Sequence, residues 1–181
     1  MPWTTPPTFT ADTELAAADL NLLSDDLEYL KGIADGVTFS GAKVDRAGAS
    51  AVSVANTTET AITLTNEVFD FGGWWSSGAT FTVPAGAIPA GYTTIAVMVN
   101  ASIRFAANGT GLRKLIVLKN GSEIDHFGAP GLVGEVVTVA GLTVFTVEAA
   151  DTIGIQAYQS SGGALNLDVA RLTVLRYAPA S

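Results

Sequence analysis

The chain of 181 residues contains no cysteine and a single histidine. Missing thiols remove disulfides, thiolate metal sites and cysteine nucleophiles together. No histidine pair and no Asp-x-Asp-x-Asp-Gly run is present, so no residue stands out as a metal ligand and no cofactor is expected. Charge is scarce too. Only 14% of residues are charged, with nine Lys and Arg against 17 Asp and Glu, for a net charge of −8. Phosphate backbones are bound through clustered Lys and Arg, so nucleic acid is not an expected partner. Although 48% of the residues are hydrophobic, no apolar run approaches the ~20 residues that cross a bilayer, and membrane insertion is not expected. Met1 to Thr13 has neither the basic start nor the apolar stretch of a secretory signal.

What is present falls into three parts. Residues 1–12, MPWTTPPTFTAD, hold three prolines and no hydrophobic period, which predicts an extended arm with fixed proline torsions. Trp3 and Phe9 are its large apolar groups, and a short arm orders only by docking them on something. From Ala18 to Gly32 the pattern changes. Leu20, Leu23, Leu27, Leu30 and Ala34 step by three and four, the seam of a coiled coil, with Asp19, Asp25, Asp26, Glu28 and Lys31 mostly off it. Two heptads do not hold a coiled coil unaided, because helices shorter than ~12–15 residues are marginal in water. The seam therefore needs support from an attached domain, or it packs on that domain's own surface. Gly32 and Gly36 stop the helix, and the Gly/Ala/Ser-rich stretch that follows reads as a connector. The expected division is an arm and helix over 1–36, a linker over 37–50 and a β domain over 51–181.

From Ala51 onward the period is two, punctuated by turns. Strands are expected at Ala51–Val54, Ala61–Leu64, Thr80–Val83, Thr94–Phe105, Arg113–Leu118, Ser122–Asp125, Glu135–Thr138, Leu142–Val147, Thr152–Gln159, Ala164–Asn166 and Ala170–Tyr177. Lys119-Asn120-Gly121-Ser122 is the strongest turn, since Asn-Gly supplies both positive-φ residues of a two-residue hairpin. So many short strands indicate an antiparallel sandwich or jelly roll. Several strands are apolar at both parities. Ile95, Val97, Val99 and Ala101 oppose Ala96 and Met98; Leu172 and Val174 oppose Leu175 and Tyr177. A sheet with one wet face alternates cleanly, so either loops or a second copy cover the outer face. Large exposed apolar patches usually mark an interface, which favours self-association, and neighbouring helices would then zip together because their β domains already hold them close.

Catalytic constellations are hard to find. His126 has Asp125 beside it, but adjacent strand residues face opposite ways and no Gly-x-Ser-x-Gly elbow exists. Glu123 with Asp125, or Glu67 with Asp70, would be the carboxylate pairs of a glycosidase, yet acids in turns ordinarily serve solubility. Asn56-Thr57-Thr58, Asn108-Gly109-Thr110 and Asn120-Gly121-Ser122 match glycosylation acceptors but read better as turns. Trp74-Trp75, flanked by glycines, are candidate ligand contacts: in an extended segment one indole faces out as a platform for a sugar or an apolar partner, while the reading the residues favour is that both pack into the protein.

Trp3-Thr4-Thr5-Pro6, Phe9-Thr10, Ala17-Ala18-Asp19-Leu20-Asn21 and Leu27-Glu28-Tyr29-Leu30-Lys31-Gly32 together resemble the N-terminal segment of structural proteins of tailed bacteriophages. Ala16 departs from that pattern, which often places a capping Thr there. The remainder resembles a C1q/tumour-necrosis-factor type jelly roll, through "FTVP" at Phe81–Pro84, Gly91-Tyr92 opening a long strand, "SIRFAANGTGLRKLIVLKNG", and "YQSSGG" at Tyr158–Gly163. The insertion "AGAIPA" before Gly91 departs from the animal members. The resemblance implies a non-enzymatic homotrimer on the virion, assembled in the host cytoplasm and exposed on the particle. Trp3 and Phe9 would dock on other virion proteins, Leu20, Leu23, Leu27 and Leu30 would line the trimer interface, and the jelly rolls would face a host glycan or receptor. A tail fibre or tail-tip protein, a capsid decoration or head fibre protein, and a lectin-like module all share this pattern.

Overall fold

The computed structural model describes residues 40–180, with side chains as far as Tyr177. The arm with Trp3 and Phe9, the helix at Ala18–Gly32 and its seam of Leu20, Leu23, Leu27 and Leu30 lie outside the described residues. The strands are β1 (Gly41–Asp45), β2 (Val52–Val54), β3 (Thr60–Ala61), β4 (Asn66–Phe71), β5 (Thr80–Thr82), β6 (Thr94–Phe105), β7 (Leu112–Lys119), β8 (Ser122–Pro130), β9 (Val137–Val147), β10 (Thr152–Gln159) and β11 (Leu165–Ala180), with a 3-10 turn at Ala85–Ala87. They form two antiparallel sheets. The first runs β4-β1-β11-β6-β9 with β2 also on β11, and the second runs β3-β10-β7-β8 with β5 also on β10. This is the expected all-β jelly-roll sandwich.

The core lies between the sheets. Val97, Val99, Ile103 and Phe105 of β6 and Leu172 and Val174 of β11 meet Leu115 and Val117 of β7 and Ile153 and Ile155 of β10, all essentially inaccessible. Each such side chain stabilises the fold by about 1.5–3 kcal/mol through burial. β6 and β10 occupy the residues their alternation predicts, because β-branched residues every second position suit a half-buried pleated surface. The Asn120-Gly121 turn also forms, with φ of 52° and 78°.

Local expectations need correction in several places, one being that the two strands expected at Ala164–Asn166 and Ala170–Tyr177 are the single strand β11. The stretch 37–50, read as a linker, contains β1, which pairs with β11 from Gly41↔Leu175 to Asp45↔Arg171 and buries Ala42 and Val44 completely. Two small inward residues suffice because this strand is flanked on both sides, by β11 and β4. β4 was not expected either; its pairing with β1 slips between Lys43 and Val44, and that bulge breaks the period of two. Finally, the break expected within β9 at Gly141 does not occur. A Cβ on Gly141 would stand 2.2 Å from the Phe127 ring, so the glycine is where β8 packs its phenyl ring directly onto the β9 backbone.

Candidate functional site

Groups with chemical potential are mostly engaged in holding the fold. His126 sits on β8, half exposed, with Nδ1 2.6 Å from Glu123 Oε1, and its backbone N–H donates to Asp125 Oδ1 at 2.8 Å. Asp70 spends both carboxylate oxygens locally: Oδ1 accepts from the Trp74 N–H at 2.9 Å and Oδ2 from the Trp75 N–H at 3.0 Å. That clamp turns the chain at Gly72-Gly73, both at positive φ, and drives the first indole inward. Trp74 is only 1% exposed and its Nε1 donates to Ser40 Oγ at 2.9 Å. It is therefore a core residue, as the inward-packing reading has it, and not a ligand platform. Trp75 is half-buried against the same core, and its Nε1 finds no acceptor among the described residues.

On the second sheet Ile116, on the outer face of β7 between Gln156 and His126, is hidden within the chain at 2% exposed, while Leu112 of β7 and Ile124 of β8 stand exposed singly. The first sheet gathers its outward apolar residues. One row across its outer face reads Phe71 (β4), Gly41 (β1), Leu175 (β11), Met98 (β6) and Val144 (β9). The next row reads Phe69, Lys43, Thr173, Asn100 and Leu142. Val144 and Leu142 are each 51% exposed, while Met98 and Leu175 are half-buried. The apolar parity seen in β6 and β11 thus aligns with β9 into a band that crosses the sheet. Such a band on one face is the pattern of a subunit contact, since an outer face meant for water carries polar residues at these positions.

Farther along the same face the character becomes ionic. Arg104 grips Asp168 through two bonds, Nε to Oδ1 at 2.9 Å and Nη2 to Oδ2 at 2.6 Å. The hydrogen bond from Arg104 and its charge hold the Asp168 carboxyl below its usual range, and Arg171 pairs with Ser102 beside them. The face therefore has an adhesive apolar half and a geometrically demanding charged half.

A second polar cluster locks the β7–β8 hairpin to the β9–β10 turn. Asp151 takes bonds from the Asn120 amide at 2.6 Å and the Glu148 N–H at 2.7 Å, with Lys119 Nζ at 2.9 Å. Burial pushes the Asp151 carboxyl up, but these donors outweigh it and hold its pKa below the usual carboxylate range. A depressed folded-state value adds stability that is complete above about pH 4 and is lost as the carboxyl takes its proton below that. Melting temperatures followed from about pH 6 to about pH 2 should fall less in Asp151→Asn than in the parent chain; equal slopes would remove Asp151 from the account.

No family model matches the sequence, and no curated protein matches it. Solved structures do match the fold. Murine APRIL superposes with a TM-score of 0.54 at 13% identity, covering 76% of this chain and 99% of that one. The globular domain of zebrafish complement 1qA protein gives 0.51 at 13% identity, over 78% and 99%. The vertex protein P5 of phage PRD1 gives 0.53 at 16% identity, over 76% and 96%. At such identities the likeness establishes the architecture, a jelly roll of the tumour-necrosis-factor and C1q kind.

Proposed function

We propose that this chain is the subunit of a non-enzymatic homotrimeric structural protein of a tailed-bacteriophage particle, exposed on the virion and of the tail-fibre or tail-tip type. The observation that carries the reading is the apolar band of Leu175, Met98, Val144 and Leu142 on the outer face of the first sheet. A second and third copy cover that band, and the seam of Leu20, Leu23, Leu27 and Leu30 continues the contact into the N-terminal segment. Residues 1–36 attach the trimer to the particle, with Trp3 and Phe9 as the docking groups, and the jelly rolls face a host-surface receptor or glycan.

The fold shared with a phage vertex protein supports a virion role, and it also favours a second location. In that reading the same trimer decorates the capsid instead of the tail. A lectin-like module using Trp74 loses support from the burial of that indole. The measurement that tests the trimer is the mass of the purified chain in solution.

A further inference from the structure

Two Asn-Gly pairs occur in the chain, Asn108-Gly109 before β7 and Asn120-Gly121 in the β7–β8 turn. Such a pair carries a latent reaction. The backbone nitrogen after the asparagine attacks the side-chain carboxamide and closes a succinimide ring, and glycine permits the approach because it has no Cβ and few forbidden torsions. The two pairs are held in opposite ways. At Asn120 the carboxamide is tied to distant parts of the chain: Nδ2 donates to Asp151 Oδ1 at 2.6 Å, and Oδ1 accepts from the Thr152 N–H at 2.7 Å. Those contacts turn the group toward β10 and fix the amide nitrogen that would have to leave.

At Asn108 the contacts fall on the reacting groups themselves. Oδ1 accepts from the Thr110 N–H at 2.8 Å, a bond that folds the carboxamide back toward the Gly109 peptide, draws electrons from Cγ and is in place for the oxyanion that attack creates. The backbone oxygen of Asn108 accepts from Arg113 Nη2 at 3.0 Å. That oxygen belongs to the same peptide group as the Gly109 nitrogen, so a guanidinium on it stabilises the amidate formed when the nitrogen gives up its proton. Arg113 is fully buried, donates also to Thr110 O and Leu112 O, and stays charged because arginine does not deprotonate in proteins. Among the described residues no carboxylate pairs with it, and neither Asn108 Nδ2 nor the Gly109 N–H has a partner. Leaving group and nucleophile are both free. Asn108 is half-buried and Gly109 and Thr110 are exposed, within reach of water. Val133 Cγ2 would stand 2.4 Å from a Cβ on residue 109, so the position admits only glycine.

We propose that Asn108 is a self-modification site, at which the folded chain converts its own asparagine to a mixture of aspartate and isoaspartate. The Gly109 nitrogen loses its proton to water and bonds to Asn108 Cγ. The Cγ–Nδ2 bond then breaks, and the amide nitrogen leaves as ammonia with a proton from water. Water next reopens the succinimide, at the backbone carbonyl to give isoaspartate or at the side-chain carbonyl to give aspartate. The net exchange is ammonia out and water in, with nothing oxidised or reduced. Either product puts a carboxylate on the loop that Arg113 holds, whose charge no described carboxylate answers, and the main chain lengthens where isoaspartate forms.

Incubation of the purified full chain in neutral buffer, folded and in denaturant, followed by peptide mapping with mass spectrometry, tests it. Water enriched in heavy oxygen marks the conversions that occur during the incubation. In denaturant both Asn-Gly pairs lose their contacts and should convert at similar rates. In the folded chain Asn108 should convert about tenfold or more faster than Asn120, the scale of a charge-assisted hydrogen bond, and the product should include isoaspartate, which direct hydrolysis of the side chain does not form. Arg113→Met should slow Asn108 by about tenfold and leave Asn120 unchanged, with circular dichroism confirming the β sandwich. Should that variant not fold, Thr110→Pro removes the N–H donor at an exposed position and should likewise slow Asn108 alone. Equal rates at Asn108 and Asn120 in the folded chain, a preference just as large in denaturant, aspartate as the sole product, or folded variants with an unchanged Asn108 rate would each overturn the proposal.

Discussion

Replacing Leu142 and Val144 together by Asp should convert the assembly to single chains without unfolding them. Both residues are half exposed on β9 in one chain, so the jelly roll loses little when they change. In the assembly their remaining surface is covered, worth about 1 kcal/mol each at roughly 25 cal/mol per Å². The larger effect is electrostatic. Two carboxylates forced into a dry contact cost several kcal/mol unless paired, and every ~1.4 kcal/mol is tenfold in an association constant. Light scattering should show one chain where the parent shows three, and circular dichroism should show the same β content in both. A variant that keeps its mass would mean that this face of the sheet is not the contact.

The second large effect is expected at Trp74→Ala, with a loss of about 3–5 kcal/mol in denaturant unfolding, the range for deleting a buried aromatic ring. Domains of this size hold only about 5–15 kcal/mol in all, so the variant should lie near the edge of folding. The cause reaches beyond the cavity. Removing the indole leaves Ser40 Oγ without its 2.9 Å donor, just before β1, a strand that supplies Ala42 and Val44 to the core. A loss below about 1 kcal/mol would show that the site collapses and that the indole is not the anchor described here.

The same tryptophan shows what the sequence makes legible and what it does not. Glycines beside paired indoles leave both an exposed platform and a buried pair open, and burial is decided by Asp70, four and five residues upstream, and by Ser40, distant in the chain. Neither contact has a local signature. β6 and β10 are readable because β-branched residues recur at every second position, Ile95, Val97 and Val99 in one and Ile153 and Ile155 in the other, whatever fills the opposite face. β1 was hidden, since a strand of five residues with only Ala42 and Val44 inward looks like a connector until its partners are known. β9 read as two strands for a related reason: Gly141 resembles a turn unless Phe127 is known to lie against it.

For the candidate site the balance is similar. Double-sided apolarity was visible strand by strand in β6 and β11, yet only the sheet order places Leu175, Met98 and Val144 in one row. The same reading applied to β7 proved different in kind, because Ile116 is already buried between its own sheet neighbours.

The central claim is that an acidic chain with few charges covers the outer face of its first sheet with copies of itself. Its most direct test is the absolute molar mass of the purified full-length chain by light scattering at low micromolar concentration. Three chains per particle is the predicted result. A single chain, stable over that concentration range, would contradict the account.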